Sequence, residues 1–105
     1  MSEATRERVQ VIAQSPVLDI GGEVGALIVH LPATTRTGEL EACPVDDPDA
    51  RFHTGVHFRP IGRESAWTAV FPEVHRGTYH LLDDGGAPMA RVTVAGGLVH
   101  QLDLR

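Results

Sequence analysis

Between Ser65 and Arg105 the chain reads SAWTAVFPEVHRGTYHLLDDGGAPMARVTVAGGLVHQLDLR, and this run limits the fold more than any other part of the sequence. Four short apolar-rich segments stand out: Trp67–Phe71, Thr78–Leu82, Ala90–Val94 and Leu98–Leu104. Pro72, Gly77, the Asp83-Asp84-Gly85-Gly86 cluster and Gly96-Gly97 separate them, and these are residues that end strands and make turns. Strands this short, repeating every ~10 residues, predict an all-β protein, an antiparallel β-sandwich of about seven strands.

The first half adds the remaining strands. Residues 1–15 read as an N-terminal arm whose Val9, Val11, Ile12 and Ala13 suit a short helix, an extra strand or a frayed end. Residues 16–105 read as a single domain, opened by Pro16. Val17–Ile20 is predicted as a strand closed by Gly21-Gly22, and Val24–Leu31 (VGALIVHL), the most apolar segment, as a central strand. After a loop over Pro32–Gly38, Glu39–Cys43 alternates, with Leu40 and Ala42 on one face and Glu39, Glu41 and Cys43 on the other. Arg51–Arg59 alternates too, sending Phe52, Thr54, Val56 and Phe58 inward against His53, Gly55, His57 and Arg59. A loop over Pro60–Ser65 would set Phe58 opposite Trp67 and Val56 opposite Ala69, putting all the large apolar residues of both strands on one buried face.

Composition excludes several chemistries. The net charge of -5 has the wrong sign for a phosphate backbone or an anionic membrane, and the nine basic residues are all arginine and scattered. Neither nucleic acid nor membrane is therefore expected as a partner. With no lysine there is no Schiff base and no Walker-type phosphate loop. Ser2, Ser15 and Ser65 lie outside any G-x-S-x-G elbow. The single Cys43 permits no intrachain disulfide and no C-x-x-C motif. The opening MSEATRERVQVIAQSP mixes acidic and basic residues where a secretory leader needs an apolar core, which predicts a cytoplasmic location.

Six histidines supply the candidate ligands: His30, His53, His57, His75, His80 and His100. His53 and His57 are spaced for a helix, but FHTGVHFRP is a strand sequence. Four residues along a strand span ~13 Å, so one ion with ~2.0–2.1 Å metal–nitrogen bonds cannot bridge the pair. A cross-strand site survives that test. A hairpin around PVDDPDA would bring Glu41 near His53 and Cys43 near Arg51, giving Glu41, Cys43 and His53 as ligands for zinc or another transition metal. The competing reading makes Glu41–His53 and Glu39 with Arg59 or Arg51 ordinary cross-strand charge pairs on a solvated face. No cofactor is otherwise expected. The acidic turns at Asp46-Asp47-Pro48-Asp49 and Asp83–Gly86 match no EF-hand loop, and Asp and Gly are turn formers. His100 shares the face of Leu98, Leu102 and Leu104 and reads as a satisfied, partly buried histidine; His75 reads as exposed.

The second half also carries a family phrase. Phe71, Val74, Gly77, Tyr79 and Leu81 match "F-x-x-(L/V)-x-x-G-x-Y-x-L", and Val92, Val94, Gly96, Gly97, Val99, Leu102, Asp103 and Leu104 match "V-x-V-x-G-G-x-V-x-x-(L/V)-D-L". Together they resemble the prealbumin-like sandwiches, among them the carboxypeptidase-regulatory-like domains and the B-type repeats of collagen adhesins. The resemblance covers the C-terminal third to half of the chain and implies a fold that hosts many roles. The isopeptide bond of the adhesin repeats needs Lys and Asn, and this chain has neither. SPVLDIGGEVGA is similar to the opening of the transthyretin-like hydroxyisourate hydrolases, but Pro16 stands where that family has histidine and its Tyr-Arg-Gly-Ser ending is missing, so no catalytic residue carries over. The expectation is a small non-enzymatic binding or accessory module with a protein partner or a second copy of itself. The alternatives are a metal-binding protein using the Cys/His/Glu face and a transthyretin-like hydrolase.

Overall fold

The computed structural model describes residues 6–10, 21–35, 37–61 and 64–105, with the backbone alone for 6–10, 59–61 and 64–66. The described residues form eight strands and no helix: β1 Arg6–Gln10, β2 Val24–Leu31, β3 Glu39–Pro44, β4 Phe52–Ile61, β5 Glu64–His75, β6 Gly77–Leu82, β7 Pro88–Val94 and β8 Val99–Asp103. They make one sheet in the order β1-β8-β2-β5-β4-β3-β6-β7, curled until it is nearly a barrel. The strand expected over Val17–Ile20 lies outside the described residues. Arg6–Gln10, inside the segment read as an arm, is a strand paired with β8.

Period-2 patterning explains how the sheet folds around its contents. In β2, Leu27, Val29 and Leu31 point inward and are buried, as the most apolar segment should be. Leu40 and Ala42 of β3, Val56 of β4, Ala69 and Phe71 of β5, Leu81 of β6, Val92 and Val94 of β7 and Leu102 of β8 join them in one cluster. Phe52 packs edge-on against both Phe71 and Tyr79, with ring centroids 5.5 and 5.6 Å apart. Tyr79 ties the β5–β6 corner. Its hydroxyl donates to the carbonyl of His75, four residues upstream, at 2.5 Å, the tyrosine-corner arrangement of β-sandwiches.

Three sequence expectations need correction. The sheet is mixed, because β8 runs parallel to β2. Chain adjacency favours a β7–β8 hairpin, but the Ala95–Leu98 connection carries the chain across one end of the molecule and delivers β8 beside β2. The approach there is backbone on backbone. Gly97 donates to Val24 O at 2.9 Å and Ala26 donates to Leu98 O at 3.0 Å. A Cβ on Gly25 would run into the carbonyl oxygens of Ala95 and Leu98, and one on Gly96 into that of Gly22. The second correction concerns the loop at Pro60–Ser65: the β4–β5 ladder continues through it to Ile61 and Glu64. The third concerns Phe58. Its pairing with Trp67, and that of Val56 with Ala69, are as expected, yet Phe58 is 52% exposed and Trp67 only partly buried. Both side chains point to the inner face, but at a level where β4 and β5 have run past the strands that close over the core.

Candidate functional site

At that end the inner face opens. β2 finishes at Leu31, β3 starts at Glu39, β6 finishes at Leu82 and β7 starts at Pro88, so the Pro32–Gly38 loop and the Asp83–Ala87 turn face one another across the mouth. Between them lies a cleft of about 310 Å³. Leu31, Leu40 and Leu82 form its floor, Pro32, Thr34, Thr35 and Thr37 one wall, and Met89 with Asp83 and Asp84 the other. Mouths of β-barrels are recurrent ligand sites, and pockets start at roughly 300 Å³.

Both walls are held in place. Thr35 donates to Pro32 O at 3.0 Å, and the Thr37 hydroxyl donates to Glu39 O at 2.7 Å while accepting the Glu39 N–H at 3.2 Å. The Trp67 indole donates to Ala33 O at 3.2 Å and rests edge-on against Phe58, centroids 5.0 Å apart, so the aromatic pair braces the loop from behind. On the other side Asp83 Oδ1 accepts the N–H groups of Gly85 and Ala87, both at 2.9 Å. This is why an aspartate begins that turn. Its charge, and that of the exposed Asp84, stays at the rim. Next to the cleft, and sharing Thr37, Leu82, Asp83 and Asp84 with it, a groove of about 160 Å³ is completed by Glu39 and Glu41.

The three metal candidates are placed unequally. Glu41 stands directly opposite His53 in the β3–β4 ladder, as the hairpin reading requires. Their side chains point to other partners: Glu41 Oε1 meets Arg51 Nη1 at 3.5 Å, and His53 Nε2 meets Glu39 Oε2 at 3.6 Å. Cys43 lies on the same face by alternation but is only 3% exposed, and its cross-strand partner on β6 is His80. No group of three or more His, Cys, Asp or Glu positioned to hold a metal ion occurs among the described residues. His57 pairs with Thr68 in the β4–β5 ladder, and its ring lies over Gly55, which stands opposite Glu39.

The remaining polar positions tie the fold together. His100 is buried and its Nε2 accepts the Ala95 N–H at 2.9 Å, fixing the start of the β7–β8 connection. His75 is exposed and pairs with Glu23 at 3.3 Å. Arg105 grips Asp103 through Nε at 3.0 Å and Nη2 at 2.9 Å, and these bonds hold the Asp103 carboxyl down to about 2. Burial, with Asp46 nearby, pushes the Tyr79 phenol above its ordinary value. Compared with known proteins, the chain matches no family model, no curated protein and no solved structure.

Sequence reasoning missed the mouth. Its walls come from a loop and a turn that read as punctuation, and its floor from three leucines that read as core. The signal present was Met89, a large apolar residue two places beyond a glycine-rich turn, out of step with the inward Ala90 and Val92.

Proposed function

We propose that this chain is a non-enzymatic binding module of prealbumin-like sandwich type, and that it binds through the mouth at the Pro32–Gly38 loop. One observation carries the reading: the large hydrophobic residues that remain exposed among the described residues, Phe58 and Met89, both belong to this end of the molecule. Met89 lines the cleft, and Phe58 packs on the Trp67 that holds the cleft's loop. Scattered exposed hydrophobics need no explanation, but a grouping around a cleft does. The prealbumin-like reading is supported by the phrase residues: Phe71, Val74, Tyr79 and Leu81 are all core, and Tyr79 closes the β5–β6 corner.

The test is a titration of isotope-labelled protein with a neutral apolar probe, n-hexanol, followed by amide chemical shifts. Shifts concentrated in residues 31–37 and 82–89 are expected. Shifts centred on the opposite end, at Pro44–Asp47 and Arg76–Tyr79, or no shifts at all, would overturn the reading.

A further inference from the structure

The mouth is two-part, and its two parts differ in chemistry. The cleft floor is apolar, with Leu31, Leu40 and Leu82 at the bottom and Met89 at the lip. Across Thr37 and Leu82 it joins the smaller groove, whose remaining lining is four carboxylates: Glu39, Glu41, Asp83 and Asp84. Among the described residues the cation beside this groove is Arg51, which meets Glu41 at 3.5 Å with both side chains more than 40% exposed, a pair that screening weakens. His53 balances Glu39 only when protonated. The whole chain carries -5. We infer that the occupant is a basic peptide segment of a partner protein, with one apolar side chain in the cleft and adjacent arginine or lysine side chains in the carboxylate groove. The inference rests on the mouth reading proposed above.

The argument for this occupant is complementarity of charge and shape. An apolar residue alone satisfies the cleft but leaves a negative field beside it, and a neutral partner would have to crowd four carboxylates without compensating them. A cation alone finds no reason to sit against three leucines. A peptide with the two residue types next to each other meets both demands. The joined cavities, about 310 and 160 Å³, lie open along the surface between a loop and a turn, a course an extended chain can follow and a compact molecule would fill only in part. Charge at such a rim raises the association rate and selects the partner, while the apolar anchor sets the lifetime.

Four probes separate the possibilities: acetyl-leucyl-glycyl-arginyl-arginine amide, its citrulline analogue, its glycine-for-leucine analogue, and n-hexylamine. Each is titrated into the full labelled chain at low and at high salt, with amide shifts as the readout. The arginine peptide should move residues 31–41 and 82–89 and bind about tenfold or more tightly than the citrulline or glycine analogue, and salt should erase most of the difference from citrulline. Asp84→Lys and Glu39→Lys, both at exposed positions, should remove the preference for arginine while leaving the melting temperature unchanged. Equal binding of the citrulline analogue overturns the basic partner and leaves the mouth reading standing. Equal binding of n-hexylamine overturns the peptide in favour of a small cationic amphiphile. Silence of the mouth amides with all peptides while n-hexanol still binds overturns this inference alone. Silence with n-hexanol as well overturns both.

Discussion

Single residues hold this protein at its corners and its ends. The hydroxyl of Tyr79 ties the β5–β6 corner back to the His75 carbonyl. Tyr79→Phe removes one bond and little volume, so it should cost about 1 kcal/mol in chemical denaturation, within the range of about 0.5–1.5 for a net hydrogen bond. Tyr79 is the one tyrosine in the chain, so phenolate absorbance reports it alone. Because its folded pKa lies above the unfolded value, the unfolded chain ionises first as pH rises; the associated stability is whole below the ordinary 10.0 and is lost as pH climbs through the raised value. Ionisation at or below 10.0 would contradict the burial described. Asp103 works in the opposite sense. Its carboxyl, held at about 2 by Arg105 against an ordinary 3.8, stabilises the fold above the higher value and loses that contribution as pH falls through the lower one. In Arg105→Ala the carboxyl carbon resonance should titrate back towards 3.8, and an unchanged low midpoint would show that Arg105 is not the cause.

At the level of elements, most strands were legible because each alternates with period 2, and alternation survives any pairing. The β3–β4 and β4–β5 registers followed from Leu40, Ala42, Val56 and Ala69, which a slip of one residue would have turned outward. The direction of β8 was not legible: His100, Leu102 and Leu104 share one face beside a parallel or an antiparallel neighbour alike. Nor was the reason for the glycines. Gly96 reads as part of a turn, but with Gly25 it also lets two backbones touch where β8 enters beside β2. Gly25→Ala should therefore cost more than the ~1–3 kcal/mol of ordinary overpacking, since carbonyl oxygens, and not flexible side-chain tips, stand in the way. Gly38→Ala is the control. A Cβ there meets nothing within 4 Å, and the change should be neutral or stabilise by up to about 1 kcal/mol. Similar losses at both positions in thermal or urea unfolding would contradict the close approach.

Among the described residues the molecule is a curled sheet whose two ends differ: at one, beside the Ala95–Leu98 connection, a polar hollow of about 300 Å³ lies between Pro44–Asp46 and Arg76–Tyr79, and at the other the leucine-floored cleft opens. That asymmetry puts the apolar cleft beside the polar face on which the sequence placed the site, and the groove lined by Glu39 and Glu41 joins the two. Glu41 and His53 do meet in register, as alternation allowed one to read, whereas the mouth depends on which strand ends stop short of which others, a property no single segment encodes. Phe58 shows the difference: correct in its pairing and its face, half exposed because it stands above the level at which the barrel closes. The emission of Trp67, the single tryptophan, should accordingly lie between that of a core and a solvated indole and respond to apolar ligand, because its ring braces the loop that walls the cleft. The central claim is that ligands enter the mouth, and intermolecular nuclear Overhauser effects from bound n-hexanol test it most directly. The account predicts contacts to the methyl groups of Leu31, Leu40, Leu82 and Met89; contacts instead to Ile28 and Val70, which alternate to the opposite face of β2 and β5, would contradict it.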